Sequence, residues 1–587
     1  MPGSVVPGTM FHSEGHALSG AGLCDSFSLR NGIYQMPTND VLWWQRSIFY
    51  QIYPRSFQDS NDDGVGDLPG IIARLPYLES LGINAIWLSP IFPSPMADFG
   101  YDISAYTDID PVFGTMADFD ALIGAAHAAG LRLILDFVPN HTSDRHPWFV
   151  ESCSSSNSAR RDWYIWRDGA SDGGPPNNWL SEFGGSAWQY DAASGQYYYH
   201  AFLAQQPDLN WRNPAVRRAM YDVMRFWLRK GVDGFRVDVI WHLIKDAAFR
   251  DNPVNPNFHP GRPSNQRLLP LYTTDQPEIF DLIAEMRRVI DEFDERVLIG
   301  EVYLPIERLV AYYGKNLAGA HLPFNFALLS AAWNARGIEG IIAEYEQALP
   351  EGAWPNWVLG NHDRPRIASR AGAQQARVAA MLLLTLRGTP TLYYGDEIGM
   401  HQAPIAPEQV RDPLERNVPG FGLGRDGCRT PMQWDSTGFA GFSRAKTWLP
   451  VPKDFVHENV RNLEADRASI LALYKALIAL RRRHKALAVG SYEAIAAKDD
   501  LLIYRRAIEG SSAIVVLNLG ADPVSLSSAA IGLEGRILLS SFMDRWEEKL
   551  SGSLDLRGNE GVITSASSSR LVDLLQSRTP HPTRRFL

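Results

Sequence analysis

Four carboxylates, two histidines and one arginine stand at the polar ends of short apolar runs in this sequence. Asp136 and His141 follow Leu131–Leu135, Arg236 and Asp238 lie in Gly231–Val239, Glu301 follows Val297–Gly300, and His362 and Asp363 close 357–363. Paired carboxylates can divide the work of acid/base or nucleophilic catalysis when one is held ionised and the other protonated. An arginine two residues from an aspartate on an extended strand shares its face and favours its charged form. Any one of these groups alone reads equally well as a structural ion pair. Seven of them at the same end of successive strands are a poor fit to core packing, because buried unpaired charges are expensive.

The elements that must position these groups follow a βα rhythm. In 234–239, Phe235, Val237 and Val239 alternate with Gly234, Arg236 and Asp238, a period of two. The preceding run, 215–230, is helical, with Met220, Val223, Met224, Trp227 and Leu228 on one side. A helix feeding an apolar strand implies strands covered by helices. Strands are predicted at 48–53, 84–90, 131–138, 234–239, 297–302, 323–326, 357–363 and 390–395. Helices are predicted at 68–81, 116–129, 281–295, 336–348, 373–386 and 468–484. Eight such units imply an α/β fold, a (β/α)8 TIM barrel, with catalytic groups at the C-terminal ends of its strands. The rhythm breaks over 142–210, which is polar, aromatic and rich in Gly and Pro, so an inserted subdomain after strand 3 is expected. From Ser491 the pattern becomes short alternating strands (501–506, 513–518), a C-terminal all-β sandwich. The expected division is a poorly ordered tail at 1–40, the barrel at 41–140 and 211–488, the insertion at 141–210 and the β domain at 489–587.

The chain has 587 residues and a net charge of −10, which gives no support to nucleic-acid or anionic-membrane partners. The 17 tryptophans fit a sugar-binding cleft, but a large core uses aromatics too. Cys24, Cys153 and Cys428 are odd in number, far apart and without metal-type spacing. No basic start with an apolar core and no run of about 18 apolar residues is seen, so a cytoplasmic location is the default expectation. Asp59, Asn61, Asp63, Val65 and Asp67 follow the order of oxygen ligands in a Ca²⁺ or Mg²⁺ loop, with Gly64 after the third. The acid that closes an EF-hand at position 12 is replaced by Gly70. A structural cation is expected here; the alternative is a solvated acidic turn.

Four short motifs carry a family resemblance: Asp136-Phe137-Val138-Pro139-Asn140-His141, Gly234-Phe235-Arg236-Val237-Asp238, Gly300-Glu301-Val302 and Asn361-His362-Asp363. Together they resemble glycoside hydrolase family 13, the α-amylase family, over roughly 41–585. The resemblance implies that Asp238 is the nucleophile, Glu301 the general acid/base and Asp363 the transition-state stabiliser. His141 and His362 would hold sugar hydroxyls, and Arg236 would orient Asp238 and keep it ionised. Retaining glycosidases need such a nucleophile and acid, and no cofactor.

Gln206-Pro207-Asp208-Leu209-Asn210-Trp211, Asp98-Phe99-Gly100-Tyr101-Asp102 and Arg429-Thr430-Pro431-Met432-Gln433-Trp434-Asp435 are similar to the α-glucosidase and oligo-1,6-glucosidase branch. The branch implies that Asp98 and Arg429 grip the non-reducing-end glucose, that Tyr101 stacks beneath it, and that Phe183, Phe202 and Gln206 complete the pocket. A closed pocket implies release of single glucose units from small α-glucosides. Val239 after the nucleophile leans towards α-1,6 linkages, whereas Ile240-Trp241-His242 and the segment Asn252–Pro256 look like maltose-type enzymes, and α-1,4 is favoured. Transglucosylation is open to the same intermediate. The alternatives are an oligo-1,6-glucosidase, or a glucosyl-transferring relative such as trehalose synthase or sucrose isomerase. A non-catalytic transporter subunit is disfavoured by the retained carboxylates. A monomer or homodimer, with no membrane partner, is expected.

Overall fold

The computed structural model describes residues 41–527, 535–550 and 552–565. The expected tail at 1–40, with Cys24, and the sequence beyond 565 lie outside the described residues. Eight parallel strands form one sheet: β1 (Phe49–Ile52), β2 (Ala85–Leu88), β3 (Arg132–Phe137), β4 (Gly234–Val237), β5 (Val297–Val302), β6 (Leu322–Asn325), β7 (Asn356–Val358) and β8 (Thr389–Tyr393). Their order is β7-β8-β1-β2-β3-β4-β5-β6, and β6 and β7 adjoin to complete the ring. This is the expected (β/α)8 barrel.

Alternation along each strand sorts the core into two layers. Phe49, Trp87, Ile134, Val297, Ile299 and Phe324 gather inside the ring. Their neighbours Tyr50, Ile86, Leu133, Phe235, Val237 and Leu298 face outward and pack with helix residues such as Met220, Met224 and Trp227. The helix Pro214–Arg229 begins at Asn213, whose side chain accepts from the Ala215 N–H, and Pro214 has no N–H to orphan there. The helix Leu68–Leu81 begins at Asp67, which accepts the Gly70 N–H at 2.7 Å. It stops at Gly82, where φ is 90°.

The same alternation aims the polar residues. Asp136 shares the inward face of Ile134, and Glu301 that of Val297 and Ile299. In register, Asp136 lies beside Arg236, Arg236 beside Ile299, and Glu301 beside Phe324. Two strands stop short of the polar residues predicted to end them. β7 ends at Val358, so Asn361, His362 and Asp363 stand in the turn beyond it. β4 ends at Val237, and Val239, predicted as extended, is left-handed at φ 36° and ψ 45°.

The segment between β3 and β4 holds the helix Pro147–Ser154 and a three-stranded antiparallel sheet of Trp166–Arg167, Gln196–Tyr199 and Trp188–Asp191. Its small core is Trp179, Trp188, Tyr199, Ala187 and Ala201. After the helix Ile470–Arg483 comes a five-stranded antiparallel sheet: Ser491–Lys498, Leu501–Ile508, Ser511–Asn518, Gly561–Ser565, Ile537–Ser540. Ile503, Val516, Ile537 and Val562 of that sheet pack on Leu554 and Leu556 of a two-stranded ribbon, Val524–Ser527 with Ser553–Leu556. This is the C-terminal sandwich.

Candidate active site

Arg236 is the hub of the barrel mouth. It has no exposed surface. Its Nη1 donates to Asp136 Oδ1 at 2.8 Å and to Asp238 Oδ1 at 2.5 Å. Its Nη2 lies 2.8 Å from Glu301 Oε1, an ion pair without hydrogen-bond alignment. One cation therefore touches three carboxylates from β3, β4 and β5. Glu301 Oε2 accepts the backbone N–H of Val239 at 2.8 Å.

A neutral hydrogen-bond chain leads away from Asp136. Its Oδ2 accepts from Trp87 Nε1 at 3.2 Å and from the Tyr101 hydroxyl at 3.1 Å. The Tyr101 oxygen lies 2.6 Å from His362 Nε2, and His362 Nδ1 lies 2.8 Å from Gln51 Nε2. Burial holds His362 well below its ordinary pKa, so the ring is neutral. With Gln51 donating to Nδ1, the proton sits on Nε2 and points at Tyr101, which frees the tyrosine proton for Asp136. The Tyr101 and His362 rings are parallel, 5.3 Å apart.

A second ion cluster contains Asp98 and Asp363. Arg429 Nη2 donates to Asp363 Oδ1 at 2.9 Å. Arg425 reaches three carboxylates: Asp412 through Nε and Nη2 (3.1 and 2.7 Å to Oδ1), Asp98 Oδ1 at 2.8 Å and Asp363 Oδ1 at 3.4 Å. Asp98 is thus held by Arg425 and not by Arg429. Arg425 and Asp412 were missed by the sequence reading. They lie in irregular chain after β8, where no periodicity marks a facing residue, and the nearness of Arg425 to the Arg429 motif was the one available signal. Phe183 lies beneath the Arg425 guanidinium at 5.2 Å and meets Phe202 edge to face at 6.1 Å.

The inserted segment supplies the remaining wall. The Phe202 ring is 5.2 Å from that of His141. His141 Nε2 donates to the Tyr101 carbonyl at 3.0 Å, and Gln206 Nε2 lies 3.4 Å from the same oxygen. Burial lowers His141 to about 4, so it too is neutral near pH 7. Behind it, buried Lys245 joins Asp208 and the Asn140 side chain (2.9 Å to Oδ1), tying the insertion to the exit of β3. Every residue expected at the catalytic and sugar sites is therefore in one connected site.

The proton affinities in this site diverge. Burial raises Glu301 to about 8, with Arg236 opposing and Asp238 and Asp363 adding to the rise. Burial raises Asp238 to about 7, against the pull of Arg236, and Asp136 to about 6 for the same reason. These carboxylates titrate as a group, and burial holds all three above the ordinary carboxylate range. Asp363 goes the other way. Burial pushes it up, but His362, Arg429, Arg425 and Arg236 outweigh that and hold it well below the ordinary range. Because His362 is neutral, the arginines carry this effect. The site therefore offers a protonated acid, an arginine-bound carboxylate and a fixed anion within one pocket.

The expected cation loop is folded on itself. Asp59 Oδ1 accepts the Asn61 and Asp62 N–H groups (3.0 and 2.8 Å), and its Oδ2 accepts that of Gly64 (2.8 Å). Asn61 and Asp63 accept from Asp63 and Val65, and Asp67 accepts from Ser60 and Gly70. Among the described residues, no group of three or more His, Cys, Asp or Glu side chains is arranged to hold a metal ion. The side chains of the expected cation loop thus hydrogen-bond the loop's own backbone amides. Cys153 and Cys428 are free thiols. Among the described residues no helix is long and apolar enough to cross a membrane.

Comparison with known proteins agrees with this geometry. Residues 51–490 match the alpha amylase catalytic domain. The chain is 42% identical to a probable alpha-glucosidase of Rhizobium meliloti over 522 residues, covering 86% of this chain and 94% of the relative. It is 40% identical to an oligo-1,6-glucosidase of Halalkalibacterium halodurans over 558 residues, covering 89% and 98%. The crystal structure of an alpha-glucosyl transfer enzyme, XgtA, superimposes with a TM-score of 0.84 at 39% identity, covering 90% of this chain and all of that one. With the barrel, the hub arginine and its three carboxylates in place, the chain belongs to the α-amylase family of glycoside hydrolases, whose chemistry needs no cofactor.

Proposed function

We propose that the protein is an exo-acting retaining α-glucosidase that releases glucose from the non-reducing end of short α-glucosides, with maltose-type α-1,4 bonds favoured. The observation that carries this reading is the single arginine shared by Asp238 and Glu301, with burial holding Glu301 well above the ordinary carboxylate range. Asp238 attacks the anomeric carbon while the bond to the leaving oxygen breaks, and Glu301 gives that oxygen its proton. Asp238 is then a neutral ester and Glu301 an anion. Arg236 Nη2, already 2.8 Å from Glu301, pairs with the new charge. Glu301 next takes a proton from water, whose oxygen attacks the anomeric carbon and releases Asp238. Asp363, kept ionised by arginines, stabilises the positive charge that develops on the sugar. The cluster of Arg425 with Asp98 and Asp412 forms one wall of the site, and the exo reading takes it as the end that admits a single sugar.

Transfer to a sugar hydroxyl is a second outcome of the same intermediate. Tyr303, two residues after Glu301, stacks on Phe326 at 4.2 Å and faces Trp241 at 5.7 Å, an apolar platform suited to an acceptor sugar. The solved relative named for glucosyl transfer supports it. The test is kcat/KM for glucose release from maltose and isomaltose side by side. Faster isomaltose cleavage overturns the α-1,4 reading in favour of an oligo-1,6-glucosidase. Asp238→Asn should lower kcat by about 10⁴-fold or more while the fold is kept, and normal turnover by this variant refutes the nucleophile assignment.

Loop 59–67 is proposed to take Ca²⁺ or Mg²⁺ through side-chain oxygens of Asp59, Asn61, Asp63 and Asp67 and the Val65 carbonyl, on the strength of their order in the chain. A thermal midpoint unmoved by EDTA and by either cation removes this proposal. A cytoplasmic setting and a monomer or homodimer are retained as proposals. The free thiols Cys153 and Cys428 support the first.

A further inference from the structure

Asp238 still belongs to the ladder: its N–H donates to the Phe137 carbonyl at 2.8 Å. One residue later the chain leaves it. Val239 is left-handed, and its carbonyl accepts the His242 N–H at 2.8 Å, opening the short helix Ile240–His242. A β-branched residue in this region costs about 1–3 kcal/mol, and glycine would adopt it freely. Strain at such a residue, directly after a group in the reacting cluster, calls for a use. The use visible here is the direction of one N–H bond. The Val239 amide points at Glu301 Oε2 at 2.8 Å, while Arg236 Nη2 stands 2.8 Å from Oε1.

We infer that the backbone amide of Val239 is a positioning donor for Glu301, aimed by the left-handed turn, which fixes the carboxyl for both halves of the reaction. The inference rests on Glu301 being the acid/base. A donor to Oε2 favours the ionised form and offsets part of the burial that favours the proton. Its contribution is largest when Glu301 must accept a proton from water. The charged and titratable groups facing Glu301 are Arg236 on β4 and Asp238 directly after it, Asp136 on β3, Tyr303 after β5, and Asp363 and Arg364 after β7. None of these supplies a donor to Oε2, so the amide's effect is separable from theirs.

The test replaces Val239 by α-hydroxyisovaleric acid through nonsense suppression. This keeps the side chain and exchanges N–H for an ester oxygen. Expected are a drop in kcat/KM for maltose of about 10- to 100-fold and a shift of the alkaline limb of its pH profile to higher pH. Val239→Gly keeps the N–H, and should leave the limb in place. An unmoved limb in the ester protein overturns the inference, and so does an equal loss in Val239→Gly. Glu301→Gln is measured alongside. If it still cleaves maltose, the acid/base reading itself has failed. If it is inactive and the ester protein is normal, only the amide inference has failed. Should the ester protein not fold, the Val239 amide resonance of ¹⁵N-valine-labelled wild type decides: it should titrate with the alkaline limb, and be flat in Glu301→Gln. A flat wild-type resonance overturns the inference.

Discussion

Two arginine clusters built from the same residue types meet in this pocket with opposite proton affinities. At the barrel mouth one guanidinium, Arg236, serves Asp136, Asp238 and Glu301. At the far wall two guanidiniums, Arg425 and Arg429, serve Asp98, Asp363 and Asp412. Burial raises every carboxylate. Against it, one cation among three leaves all three mouth acids shifted up. Two cations among three reverse the shift at Asp363 and Asp412, though not at Asp98. The ratio of arginines to carboxylates, not burial, separates an acid store from a fixed anion. The mouth can move protons; the wall can hold a sugar and a charge.

The largest expected effect comes from removing the lone cation. Arg236→Ala leaves the mouth acids with no counter-ion and should cost about 3–5 kcal/mol of stability, with activity lost over the whole pH range. Denaturation with urea at pH 7 measures the first. A variant of unchanged stability would show that the acids simply take up protons. At the wall a spare cation remains, so Arg425→Ala should be milder for the fold. It should still cut kcat/KM for maltose by about 10²- to 10³-fold, because Asp98 and Asp412 lose their partner. A loss confined to KM would restrict Arg425 to ground-state binding.

The pH profile sharpens the comparison next. On the proposed acid/base role of Glu301, kcat/KM should fall as pH passes about 8. A limb far below that value would mean that Arg236 favours ionised Glu301 more than the geometry indicates. The smallest effect is on stability. Glu301 has a folded pKa raised from its ordinary 4.5 to about 8, so its stability contribution is complete below 4.5 and lost as pH rises through 8. Glu301→Gln carries no such loss. It should be more stable than wild type between those values, by about 1 kcal/mol or more, read as a higher thermal midpoint, and equal midpoints at pH 5 and pH 9 would contradict the shift.

Much of this was legible in sequence because strand chemistry is local. The alternation of Phe235, Arg236 and Val237 and the apolar stripe of 215–230 each lie within a few neighbours, and the barrel strands fell where that alternation put them. Boundaries failed where the third dimension intervened. Val239 was read as extended from its place in the alternation of 234–239, but its N–H is held by Glu301, 62 residues away. The loop at 59–67 was read from ligand order, which does not reveal that its carboxylates also accept from the loop's own amides. Arg425 was invisible because irregular chain has no period from which to infer a facing residue.

What the sequence by itself determined is the roster and its order: eight strands, the carboxylates at their ends, and the arginine two residues before Asp238. These depend on the backbone period and on the cost of burying charge, which residue types alone dictate. The tertiary structure decided which acid keeps its proton, which arginine holds Asp98, and where the amide of Val239 points. Those are sums over neighbours in space, and the chain brings such neighbours together from up to 327 residues apart.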